Sequence, residues 1–61
     1  MKFKVPNDHD SENALQYMAG KFDVELDLKY EGGLILVKAP NHYVGVEIAD
    51  SLLSRGIDVY F

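Results

Sequence analysis

The chain has no cysteine, only two prolines, and no apolar run longer than the four residues Leu34-Ile35-Leu36-Val37. Without cysteine there are no disulfides, thiolate metal sites or thiol chemistry. An apolar run of this length falls far short of the roughly 20 residues of a membrane-spanning helix. The basic start, Met1-Lys2-Phe3-Lys4, leads to Pro6 and an acidic stretch rather than to an apolar signal region, so a cytoplasmic protein with no membrane contact is expected. Basic residues are also scarce, six against ten acidic ones for a net charge of −4. That sign opposes attraction to phosphate backbones or anionic lipid unless a local basic patch overrides the mean, and direct nucleic-acid contact is not expected.

What is present describes a folded protein. Hydrophobic residues make up 48% and charged residues 26% of the chain, well away from the composition of disordered segments. Its 61 residues make one compact domain, 1–61, that buries only about 60% of the surface its unfolded form exposes. A core of this size rarely supplies more than about 3–5 kcal/mol. With disulfides excluded, regular packing or self-association must supply the rest.

Lys2-Phe3-Lys4-Val5 alternates polar and apolar residues and stops at Pro6, which predicts a first strand with Phe3 and Val5 inward. Asn7 to Glu12 is rich in N-cap residues and acids, which suit the positive end of a helix from about Asp10 to Ala19, with Gly20 as its stop. From Phe22 to Tyr30 alternation is unbroken: Phe22, Val24, Leu26, Leu28 and Tyr30 share one face, and Asp23, Glu25, Asp27 and Lys29 the other. Glu31-Gly32-Gly33 suits a tight hairpin into a strand from Leu34 to Ala39. A two-residue turn puts Ile35 and Val37 on the face of Leu28 and Tyr30, leaving Leu34, Leu36 and Lys38 opposite. Asn41 caps a second helix running to about Arg55, Gly56 follows its end, and Ile57 to Phe61 alternates as a last strand.

This order predicts an α+β fold, a βαββαβ ferredoxin-like two-layer sandwich with an antiparallel sheet of order 4-1-3-2 and both helices on one face. The expected core is Phe3, Val5, Leu15, Met18, Val24, Leu26, Leu28, Tyr30, Ile35, Val37, Val44, Ile48, Leu52, Ile57, Val59 and Phe61.

Chemistry-bearing residues are few. Asp8-His9-Asp10 has the atoms for a divalent ion or an acid/base pair, but its spacing matches no metal motif and a solvated helix cap accounts for it, so neither metal nor cofactor is expected. His42 falls at the opposite end of the sheet from His9 in this topology. Glu31-Gly32-Gly33 and Arg55-Gly56 should meet Asn7 to Asp10 at one end, where a backbone pocket for a small ligand is conceivable. Serines 11, 51 and 54 have no nucleophile pattern. The element order is also that of several binding families, whose signatures are missing: outward aromatics on strands one and three for RNA-recognition motifs, paired cysteines for heavy-metal carriers, and a phosphate-holding arginine after strand one for acylphosphatase-like enzymes.

The expectation is therefore a non-catalytic interaction module, acting on a protein partner or as a homodimer through Leu34, Leu36 and Tyr60 with Asp27 and Lys38 beside them. A phage-type inhibitor that mimics nucleic acid through the acidic face of Asp23, Glu25 and Asp27 is the alternative. A small-ligand or metal-binding domain using Asp8, His9 and Asp10 is the third.

Overall fold

A computed structural model describes all 61 residues. Three antiparallel strands and two helices form it, in the order β1 (Lys2–Pro6), α1 (His9–Phe22), β2 (Asp27–Glu31), β3 (Leu34–Lys38) and α2 (His42–Ser54). The sheet order is β1-β3-β2. Phe3 pairs with Val37 and Val5 with Ile35 across β1 and β3, while Leu28 pairs with Val37 and Tyr30 with Ile35 across β2 and β3. That register follows from the hairpin turn, where Gly32 and Gly33 take φ of 60° and 77°. Two successive positive φ angles make the turn whose twist matches the flanking strands.

Register decides which side is greasy. Ile35 and Val37 are 0% and 1% exposed, and with Phe3 and Val5 they form the floor of a core roofed by Leu15 and Met18 of α1 and Val44, Ile48 and Leu52 of α2. Val24, Leu26, Leu28, Ile57 and Val59 pack around it. Two expected core residues stand outside. Tyr30 is 50% exposed, because it lies at the margin of the sheet and its hydroxyl donates to Glu12 Oε2 at the start of α1 (2.9 Å). Phe61 is 79% exposed, since the segment carrying it is held to the sheet by a single bridge between Lys4 and Tyr60.

Helix ends explain the other departures. Gly20 does not stop α1, which runs on to Phe22 because that side chain packs on the core. A mid-helix glycine costs only about 1 kcal/mol. The stop comes at Asp23, at φ 54° and ψ 49°. There the Asp23 and Val24 amides donate to Gly20 O (3.2 Å) and Ala19 O (3.0 Å), the pairing of a Schellman cap. The strand expected from Phe22 therefore begins at Asp27. Burial still alternates from Val24 to Leu28, but β3 supplies no partner beyond the Lys38–Asp27 pair: Ala39 faces β1, donating to Met1 O (2.8 Å), and the next position facing β2 is Pro40, which has no N–H to donate. α2 ends in the same way: Gly56, at φ 79°, donates to Leu53 O and Ile57 to Leu52 O (both 3.0 Å), which folds Ile57 back onto the core.

Candidate functional site

Both helices lie over one side of the sheet, so the other side is uncovered and carries the second set of alternating residues. Tyr60, Lys4, Leu36 and Lys29 lie side by side in one row across the strands. Lys2, Lys38 and Asp27 form the next row, and Pro6, Leu34 and Glu31 a third. Leu34 and Leu36 are half-buried, and Tyr60 is 48% exposed. Lys2, Lys4, Lys29, Lys38, Leu36, Tyr60 and Phe61 border a shallow depression of about 570 Å3. Leu34 falls outside that depression, whereas Leu36, Tyr60, Asp27 and Lys38 of the expected contact surface are all in it.

Alternation in the sequence places both the leucines and the lysines here, but as a mixed surface with an apolar centre rather than as a basic patch. Four of the chain's five lysines stand on this face, accompanied by two acids, Asp27 and Glu31. The Lys4–Tyr60 register brings Asp58 beside Pro6 at the rim of the face, while Lys21 lies on α1 and Arg55 at the end of α2. The only ion pair in the structure joins Lys29 Nζ to Glu31 Oε2 (3.2 Å); Lys38 has Asp27 as its cross-strand neighbour on β2 without closing an ion pair, and Lys2 and Lys4 have no acid opposite them. Lys2 and Lys38 are direct cross-strand neighbours, and like charges in that relation are destabilising. The signal was available: residues 2, 4, 29 and 38 all fall at the non-core parity of their strands.

The acidic residues expected to share one strand face are divided among three settings. Asp23 is the left-handed cap of α1, Glu25 lies in the connection, and Asp27 opens β2.

At the far end, Asn7 N donates to Gly33 O (3.0 Å), joining the loop after β1 to the hairpin. Asp8, Asp10, Ser11, Tyr17, Arg55 and Asp58 contribute to a cavity of about 590 Å3 between the start of α1 and the loop after α2. Two contacts join its polar groups. Asp8 Oδ1 accepts from Ser11 N (2.8 Å), and that amide, then the Ser11 hydroxyl, hold the carboxyl below its usual range. Ser11 Oγ is buried and makes no hydrogen bond. The Arg55 guanidinium lies over the Tyr17 ring, 5.0 Å from its centroid. His9 turns away to accept from Asn13 Nδ2 (3.0 Å), and no three His, Asp or Glu side chains gather in a metal-binding arrangement. β1 and β3 are antiparallel, so the loop carrying His9 and the start of α2, which carries His42, fall at opposite ends of the sheet.

No protein-family model, curated protein or solved structure matches this chain.

Proposed function

We propose that the protein is a non-catalytic binding module that presents the uncovered face of its sheet to an anionic partner. The observation carrying this reading is the segregation of charge: a protein of net charge −4 gathers four lysines around Leu36, and only one of them closes an ion pair. Lysines gathered on one face repel one another, and an anion bound among them would relieve that repulsion. Tyr60 and Leu36 supply apolar contact at the centre and edge of the patch, and Asp27 and Lys38 set its polar margin. The same charge argues against closing this face onto itself in a homodimer, since an isologous contact would bring two sets of lysines together.

In this reading Ile57 to Phe61 is the fourth strand of a ferredoxin-like sandwich of order 4-1-3-2. Its support is the antiparallel Lys4–Tyr60 bridge, in which each amide donates to the other's carbonyl (2.7 and 2.8 Å). That bridge sits on the edge of β1 opposite β3 and keeps Tyr60 in the row of Lys4, Leu36 and Lys29.

The test uses a short inorganic polyphosphate as probe and compares Lys4→Glu, Lys38→Glu and Lys21→Glu by calorimetry. All three change net charge equally, but Lys21 belongs to α1. The reading expects binding by the wild type and by Lys21→Glu, and loss in the two sheet-face variants. Equal loss in all three, or no binding by the wild type, would overturn it.

A further inference from the structure

We infer that the anion taken by this face is a single strand of nucleic acid, lying across β1 and β3 with bases stacked on the aromatic side chains of the C-terminal segment. The inference rests on the reading of the sheet face given above and names its ligand class. Net charge argued against such a ligand, and the placement of that charge reverses the argument. A strand on this face meets Lys2, Lys4, Lys29 and Lys38, against Asp27, Glu31 and, at the rim, Asp58. The backbones of Lys4 and Lys29, two strands apart in one row, are separated by about 10 Å, so the lysines spread over a strip rather than converging on a point. A strip of spaced cations suits a run of phosphates better than a single small anion.

Aromatic placement separates nucleic acid from an acidic polypeptide. Tyr60 and Phe61 border the same depression as the lysines and are 48% and 79% exposed. Part of the Tyr60 ring and most of the Phe61 ring are left open to a ligand beside the lysines. Sheet-face aromatics next to a positive groove are the combination that binds single strands with little sequence preference, since every base offers a π-face and the backbone is held by charge. An acidic peptide would use the lysines and gain little from the rings.

The experiment measures fluorescence anisotropy of a labelled oligothymidylate, with polyglutamate as a second probe. Variants are Lys4→Gln, Tyr60→Leu and Phe61→Leu, and the controls are Lys21→Gln and Tyr43→Leu, which lie on α1 and α2. Tyr60→Leu keeps the backbone bridge to Lys4 and removes the ring alone. Tyr60→Leu or Phe61→Leu is expected to weaken oligothymidylate binding by roughly tenfold, with the controls unchanged. If about three phosphates are neutralised, affinity should fall about twentyfold between about 50 and about 200 mM salt. Polyglutamate binding as tight as oligothymidylate, with both aromatic variants silent, would reject nucleic acid and leave the anion-binding reading standing. Failure of both probes to bind would reject both.

Discussion

Ile35 and Leu36 are adjacent in β3 and point to opposite sides of the sheet, so losing one carbon from each should have very different costs. Ile35 is fully buried beneath the helices among Phe3, Val5, Leu15 and Ile48. Ile→Val in a packed core costs about 0.5–1.5 kcal/mol, because the missing methyl leaves a void that neighbours fill only in part. Leu36 is half-buried on the open face with no layer above it, so Leu36→Val opens no closed void and gains a β-branched residue suited to a strand. Its cost should stay below about 0.5 kcal/mol. At about 4–8 °C per kcal/mol for a domain of this size, Ile35→Val should melt about 2–12 °C below the wild type. Leu36→Val should stay within about 4 °C of it. Urea unfolding followed by far-UV circular dichroism gives the free energies, and thermal melts the midpoints. Truncation to alanine would be less informative at Ile35, since a loss of about 2–5 kcal/mol could consume most of the stability of so small a domain. Equal costs at the two positions, or a larger one at Leu36, would refute the sidedness from which the candidate site is built.

The caps and close contacts yield further expectations. Asn41→Ala should cost about 1 kcal/mol in urea unfolding, because Asn41 Oδ1 accepts from Val44 N (2.9 Å) at the start of α2, and an undiminished midpoint would contradict that role. Gly45→Ala should lower the melting temperature although alanine favours helix by about 1 kcal/mol: the added Cβ would lie 2.6 Å from Met1 Sδ and 2.9 Å from Met1 Cβ; a gain in stability would show that Met1 moves aside freely. The Asp8 carboxyl titrates below its ordinary 3.8 in the folded protein, so its contribution is present above pH 3.8 and lost as pH falls through the folded value. The stability difference between wild type and Asp8→Asn should shrink on acidification, and a constant difference would contradict the assignment. Tyr30 titrates above its ordinary 10.0 because its hydroxyl donates to Glu12. Its contribution is present below pH 10.0 and lost as pH rises through the folded value, so the advantage over Tyr30→Phe should vanish at high pH.

Much of this fold was legible in residue order. Strand alternation, the Gly32-Gly33 turn, the Asn41 cap and the Gly56 stop are local devices whose chemistry acts within a few residues, and each is where its residues place it. What was not legible depends on partners distant in the chain. β2 begins at Asp27 because β3 has no further residue to pair with, α1 passes Gly20 because Phe22 finds the core, and Phe61 is exposed because one bridge does not press it down. The candidate surface was legible in its membership, since alternation put Leu36, Tyr60 and the four lysines on one face, while averaging charge over the chain hid what those lysines could attract.

Lysine acylation read by mass spectrometry tests that surface most directly, because four lysines lie on it and Lys21 does not. With saturating polyphosphate, Lys2, Lys4, Lys29 and Lys38 should be protected while Lys21 reacts at its free rate. Protection of Lys21 equal to theirs, or of none of the five, would contradict the assignment of the open sheet face as the binding surface.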